Sequence, residues 1–243
     1  MIREHYENFL AKYYTWMSGG FSKKIAENRN FFKDRHIQPR LSKVAVDLGA
    51  GPGFQSIPLA EIGFRVIAVD LSRTLLTELE ENAGKRSIEI INDDLLTFSK
   101  HCPAPVELVV CMGDTLTHLA THRNIRHLLK RIYSVLEIGG RVVLTFRDFT
   151  VELKGLERFI PVRSDANTIF TCFLEYGKNH VTVHDMVYER KNNRWEHRKS
   201  AYKKIRVSPK WMIDTLKDIG FSVAACDTHN AGVCIIAQKI FGQ

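Results

Sequence analysis

Val44-Ala45-Val46-Asp47-Leu48-Gly49-Ala50-Gly51-Pro52-Gly53 is a short apolar run that carries one acid near its end and then breaks into three alternating glycines. The segment from Phe54 to Ile62 is compatible with a helix and stops at Gly63. The order is strand, tight turn, helix, and the glycines leave the turn's backbone bare for close approach of a ligand. Taken alone, a glycine turn only joins two elements. Here a second acid-tipped strand, Val66-Ile67-Ala68-Val69-Asp70, follows at the spacing that a nucleoside-binding βαβ unit requires.

The kind of nucleoside follows from what is missing. Counted from Gly49, the third glycine of a Gly-x-Gly-x-x-Gly fingerprint would fall on Phe54, so the dinucleotide pattern is absent. Asp47, two residues ahead of the turn, would repel a pyrophosphate anion but suits a ligand carrying an ammonium or sulfonium charge. Asp70, at the tip of the next strand, is placed to take both hydroxyls of a ribose. A ribose at one end, a cation at the other and no phosphate describe S-adenosylmethionine.

Four stretches then line up in order over roughly the first 150 residues. Asp47-Leu48-Gly49-Ala50-Gly51-Pro52-Gly53 resembles the first motif of the class I S-adenosylmethionine-dependent methyltransferases, and Val69-Asp70-Leu71-Ser72 resembles the second. Ile91-Asn92-Asp93-Asp94-Leu95 and Leu108-Val109-Val110-Cys111-Met112-Gly113-Asp114 are similar to the third and fourth. The resemblance implies an α/β fold: a doubly wound, seven-stranded, mostly parallel sheet with the seventh strand antiparallel. It also implies cofactor contacts from Asp47, Gly49, Ala50, Gly51, Gly53, Asp70, Leu71, Met112 and Gly113. In the third motif Asp94 would accept from the adenine amino group and Leu95 would donate its backbone N–H to the ring, with Asp93 merely adjacent. Read from the residues alone, Asp93-Asp94 serves equally well as a helix N-cap.

The fourth motif lacks the Pro-Pro-aromatic run of enzymes acting on base amino groups. Cys111 to Leu119 is instead similar to the glycine and glycine/sarcosine N-methyltransferase branch, as is Arg147-Asp148-Phe149. By that similarity His118 would touch the cofactor and Arg147 would take a substrate carboxylate through its planar fork. Asp114 and Asp148 stand where that branch has Asn, so an added acid either favours an amine-bearing substrate or neutralises Arg147. A structural ion pair of Arg147 with Asp148 or another acid is the plain alternative.

The chain divides by pattern. Residues 1–40 are helical and rich in aromatics, interrupted at Gly19-Gly20, and form an N-terminal helical lid in which Tyr13, Tyr14 or Trp16 closes over the site. Tyr14 is assigned to the cofactor and Trp16 to the substrate, with packing on the sheet as the plain alternative for each ring. Residues 41–150 and 208–243 form the cofactor-binding domain. Ser72 caps a helix ended by Gly84, and Ser208-Pro209 starts the last one. Residues 151–207 break the β–α rhythm: 168–176, 181–188 and 195–205 alternate with period two, which predicts an antiparallel cap inserted after strand five and forming the acceptor pocket.

Hydrophobic residues at 44% and charged residues at 26% describe a globular protein, and no apolar run reaches the ~18–20 residues needed to span a membrane. The start lacks a basic region followed by an apolar one, so no secretion signal is expected. Cys102, Cys111, Cys172, Cys226 and Cys234 are scattered, without a C-x-x-C pair, which points to free thiols in a reducing cytoplasm and to no metal site. The net charge of +8, concentrated between Arg190 and Lys210, invites an RNA acceptor but is more simply a solvated face, so nucleic acid is not the expected partner. Methyl transfer needs alignment and exclusion of water, and no obligatory catalytic residue stands out. The expected function is transfer of a methyl group from S-adenosylmethionine to a small molecule, an amine or amino acid among the candidates. RNA methylation and a non-catalytic nucleoside-binding module remain as alternatives.

Overall fold

The computed structural model describes residues 2–102, 105–229 and 231–241. Helices α1 (Ile2–His5) and α2 (Ala11–Met17) are joined by a π-helical turn, Tyr6–Leu10, and α3 (Phe21–Asp34) follows the break at Gly19-Gly20. Then come β1 (Val44–Leu48), α4 (Ser56–Glu61), β2 (Arg65–Asp70), α5 (Arg73–Ala83), β3 (Ile88–Asn92), β4 (Val106–Cys111), α6 (His122–Val135) and β5 (Leu136–Arg147). A four-stranded insertion, β6 (Phe159–Ser164), β7 (Thr168–Tyr176), β8 (His180–Lys191) and β9 (Arg194–Ile205), precedes α7 (Pro209–Ile219), β10 (Phe221–His229) and β11 (Gly232–Lys239).

The main sheet has the order β10-β11-β5-β4-β1-β2-β3. β1 pairs in parallel with both β2 and β4, while β11 runs antiparallel between β5 and β10. This is the expected doubly wound, mostly parallel sheet. Its logic is visible in β1, which is buried along its whole length and so can be apolar at every position but one. Val44, Val46 and Leu48 face one core cluster, and Ala45 faces another on the opposite side of the sheet. Asp47 shares the face of Ala45 by strand alternation, and that face lies under α4. In α6, Ile125, Leu128, Leu129 and Ile132 recur at spacings of three and four and are fully buried. Each such side chain contributes roughly 1.5–3 kcal/mol by leaving water.

Boundaries differ modestly from expectation. The strand β5 begins at Leu136 rather than Arg141, because β4 already pairs there through Val106 before an irregularity in the register. The caps behave as read: Ser72 Oγ accepts from Leu75 N–H (3.3 Å), and Ser208 Oγ from Trp211 N–H (3.1 Å). Just ahead of β1, the buried carboxylate of Glu107 accepts three backbone N–H groups, from Arg40 (2.7 Å), Leu41 (2.9 Å) and Lys43 (2.9 Å).

The insertion forms one antiparallel sheet, β6-β7-β8-β9, with four strands where alternation predicts three. The strand β6 escapes a period-two reading because Pro161 and Arg163 flank a register shift against β7. One face of this sheet packs on the N-terminal helices through Phe170 and Val187 against Phe9, Leu10 and Tyr13. The other face leaves Phe159, Ile169, Tyr188 and Trp195 exposed.

Candidate active site

Where β1 meets α4, the turn spends its donors on its own structure. Gly49 and Ala50 N–H donate to the carbonyl of Val69 (2.8 and 3.1 Å), Gly51 N–H donates to Asp70 Oδ2 (2.8 Å), and Gly53 N–H returns to Ala50 (2.9 Å). Two of the glycines are needed for space. A Cβ on Gly49 would lie 2.3 Å from the side chain of Thr115, and one on Gly53 would lie 2.3 Å from Leu79, both at positive φ.

Above this turn a cleft of about 580 Å³, part of it open to solvent, runs along the carboxyl ends of β1, β2 and β3. That is the position of a small-molecule site in an open α/β sheet. Of the residues assigned from sequence, Gly49, Gly51, Asp70, Leu71, Leu95, His118 and Tyr14 line it. Asp70 sits at the centre, with Oδ1 accepting Ser72 N–H (2.7 Å) and Oδ2 accepting Gly51 N–H. Each oxygen keeps a further lone pair for a ligand hydroxyl. Burial raises the Asp70 pKa.

Asp47 does not line the cleft. It lies beneath the turn, only 1% exposed, with Oδ2 accepting from Ser56 Oγ of α4 (2.6 Å) and Oδ1 buried without a partner. Strand alternation is the reason, since it points the side chain at α4. Burial pushes its pKa up to about 7, against the lowering effect of the Ser56 hydrogen bond. Its action on a ligand is thus a field from below the turn rather than a contact.

Other assignments shift similarly. Asp93, rather than Asp94, lines the cleft. Asp94 instead takes Leu96 N–H on Oδ1 (2.7 Å), the local cap that its sequence context allowed. His101 bonds Asp93 at 2.7 Å and holds its pKa down to about 2. Ala50 and Gly53 are buried against the sheet and α5, and Met112 is buried beside β5. Gly113 donates to Thr145 Oγ1 (2.9 Å) at the rim. Trp16 lies under the Arg163 guanidinium, 5.2 Å from its ring centre, and packs toward the cap, away from the cleft.

Residues that sequence reading passed over complete the wall: Ile2, Arg3, Tyr6 and Thr115. Tyr6 OH lies 3.1 Å from His118 Nε2, while His118 Nδ1 is buried and unpaired. Burial, reinforced by the Lys204 charge, holds the His118 pKa well below its usual value, so the imidazole is neutral. Burial likewise raises Tyr6 and Tyr14, keeping both hydroxyls protonated as donors. Tyr6 was one of eight N-terminal aromatics with nothing in its spacing to single it out.

The residues assigned from sequence to the acceptor sit farther under the cap. Asp114, at φ 69°, receives Lys204 Nζ on Oδ2 (2.9 Å) and Arg147 N–H on Oδ1 (2.5 Å). Arg147 is exposed outside the cleft wall and is not paired with Asp148, whose Oδ1 takes Thr150 N–H (2.8 Å). Beside them, His5 of α1 bridges Asp185 (3.1 Å) and Ser200 (2.7 Å) on the inner face of the cap sheet. Among the described residues no cluster suits a metal ion, and no helix is long and apolar enough to cross a membrane.

Residues 45–140 match a family model described as a methyltransferase domain. A glycine/sarcosine N-methyltransferase from Aphanothece halophytica is 29% identical over 152 residues, covering 62% of this chain and 56% of the relative. A cypemycin N-terminal methyltransferase from Streptomyces is 35% identical over 114 residues, or 46% of this chain and 44% of the relative. The chain spans about half the length of the curated relatives it matches. Among solved structures, an S-adenosylmethionine-dependent methyltransferase from Clostridium acetobutylicum superposes with a TM-score of 0.76 at 12% identity, covering 97% of this chain and 99% of that one. An amino pentose methyltransferase from Micromonospora echinaspora superposes with a TM-score of 0.71 at 13% identity, covering 90% and 91%. Residues 45–140 thus carry a methyltransferase domain, and the chain as a whole has the fold of the S-adenosylmethionine-dependent methyltransferase it superposes on.

Proposed function

We propose that the protein transfers a methyl group from S-adenosylmethionine to the nitrogen of a small amine. One observation carries the cofactor assignment. The amides of Gly49, Ala50, Gly51 and Gly53 are all committed to carbonyls or to Asp70, and the buried Asp47 and half-buried Asp70 stand at the turn. Such a turn has little to offer a pyrophosphate and much to offer a positively charged nucleoside. The free lone pairs of Asp70, with Asp47 acting as a field from below the turn, fit that ligand. Asp70 would hold the ribose, Leu71 and Leu95 would flank the base with Asp93 at its edge, and Tyr14, Tyr6 and His118 would enclose the remaining end.

When bound, S-adenosylmethionine supplies an activated methyl carbon. The chain's own contribution is alignment and exclusion of water, worth up to ~7–11 kcal/mol. Tyr6 and His118, both uncharged at neutral pH, offer a hydrogen-bonding edge without adding charge of their own. No residue is assigned as a catalytic base, since an amine that arrives unprotonated needs none.

The glycine/sarcosine N-methyltransferase and the N-terminal methyltransferase among the relatives, and the amino pentose methyltransferase among the structural neighbours, support an amine acceptor. Arg147 would take an acidic group on that acceptor, with the cap at 151–207 closing the pocket and residues 1–40 serving as a lid. Isothermal calorimetry with S-adenosylmethionine and S-adenosylhomocysteine tests the first half, and micromolar binding is expected. Absence of binding removes the assignment. An amine and amino-acid panel, read by S-adenosylhomocysteine release, tests the second half. Turnover insensitive to salt separates a small acceptor from RNA.

A further inference from the structure

Three charged residues meet where the cap covers the carboxyl ends of β4 and β5. Lys204, from β9, is 7% exposed and spends its ammonium on Asp114 Oδ2. Its charge also lies 5.8 and 5.9 Å from the ring centres of Phe149 and Tyr202. Asp114 is fixed from its other side by the backbone N–H of Arg147. The Arg147 guanidinium is near enough to help lower the Asp114 pKa, behind the larger pull of Lys204 and against burial, yet it forms no ion pair with any acid among the described residues. Its neighbour Asp148 is turned to Thr150.

Burying a lysine is costly unless its charge is matched, so a cap strand that places one here does so for a reason beyond packing. The reason lies in the competition for Asp114. Without Lys204, this carboxylate would have Arg147 as its nearest cation, and a guanidinium pairs with a carboxylate bidentately when it can. With Lys204 present, two cations share one acid, and one positive charge is left over. His118 adds none, being neutral, and Asp185 is engaged by His5.

We propose that Lys204 is a positioning residue for the methyl acceptor: by occupying Asp114 it leaves the Arg147 guanidinium unpaired for an acidic group on that molecule. The proposal rests on the methyltransferase reading given above and extends it to a cap residue.

The test uses the full chain loaded with S-adenosylhomocysteine and titrated with sodium acetate, following the side-chain Nε–H resonance of Arg147 by NMR. In wild-type protein acetate shifts that resonance with saturation. In Lys204→Met the acetate affinity falls about tenfold, the loss of one charge-assisted contact, as Asp114 captures the guanidinium. In Lys204→Arg, and in Lys204→Met combined with Asp114→Asn, it returns to within about twofold of wild type, because Arg147 is released again. S-adenosylhomocysteine affinity stays unchanged throughout. If Lys204→Met does not fold, Asp114→Asn alone decides the matter, and it should bind acetate at least as tightly as wild type. Wild-type affinity in Lys204→Met, a double variant as weak as the single one, weakened binding in Asp114→Asn, or an Arg147 resonance indifferent to acetate would each overturn the proposal while leaving the cofactor assignment standing. Failure of S-adenosylhomocysteine to bind wild-type protein would remove both.

Discussion

At the glycine turn after β1, hydrogen-bonding groups are settled among near neighbours in the β1–α4–β2 unit: the Gly49, Ala50 and Gly51 amides meet Val69 and Asp70. Under the cap, the groups that matter come from far apart, with Asp114 after β4 bound to Lys204, 90 residues later, and His5 bound to Asp185, 180 residues later. The first arrangement is local and stiff and is written in a compact motif. The second exists only once the insertion has folded back on the sheet. Under the function proposed above, specificity for a nucleoside would belong to a structure the fold builds early in the chain, and specificity for an acceptor to contacts that a changed cap could rewrite.

Substitutions at the two ends should separate cleanly. The largest effect is expected from Asp70→Ala, which loses a ribose acceptor and the tie to Gly51 and Ser72 at once. S-adenosylhomocysteine affinity should fall at least about a hundredfold by calorimetry, two charged hydrogen bonds at ~1.5–3 kcal/mol each. Retained affinity would deny the turn its role. Gly49→Ala comes next: a methyl driven into Thr115 at positive φ should destabilise by ~1–3 kcal/mol in denaturant melts. Adding Thr115→Ala should recover only the steric part of that loss. On the acceptor side, Arg147→Ala should raise KM about tenfold for a carboxylate-bearing acceptor and leave cofactor affinity untouched. If both change together, the ends are not independent.

The smallest effect is a pH dependence. Asp47 ionises only above about 7, and a sulfonium favours the ionised form whereas a neutral thioether does not. The affinity ratio of S-adenosylmethionine to S-adenosylhomocysteine should therefore rise severalfold from about pH 6 to about pH 8, and lose that slope in Asp47→Asn. The same raised pKa means that the folded state holds its Asp47 proton to higher pH than the unfolded chain does. Asp47 therefore costs stability increasingly as pH climbs from the ordinary carboxylate range toward about 7. Asp47→Asn should accordingly not lower the melting temperature above that pH, and a lowered one would mean that the buried acid is tied into the fold more firmly than its orphaned oxygen implies.

The same contrast explains what could be read before folding. The strand, turn and helix around Gly49, the acid at Asp70 and the caps at Ser72 and Ser208 are decided by residues a few positions apart, so spacing exposes them. Asp93 and Asp94 are adjacent acids, and only the path of the chain after β3 shows that the first faces the cleft while the second caps the following turn. Asp47 stands beside the turn, as its position in the sequence implies, but faces away from the cleft, because alternation along β1 turns it toward Ser56. Lys204 was hidden in a basic run: Lys203 and Lys204 are identical as letters, and only the inward register of Ser200 and Tyr202 marks the second as buried. Tyr6 and His5 depend on how α1 lies across β9, which no local pattern encodes.

Three backbone hydrogens from the segment at 40–43 end on the single carboxylate of Glu107, itself seated on the central strand β4. The chain is thus bolted down immediately before it enters β1. A lid built from α1 and α2, ahead of the break at Gly19-Gly20, would then move over a floor that this anchorage and the packed α3 hold in place.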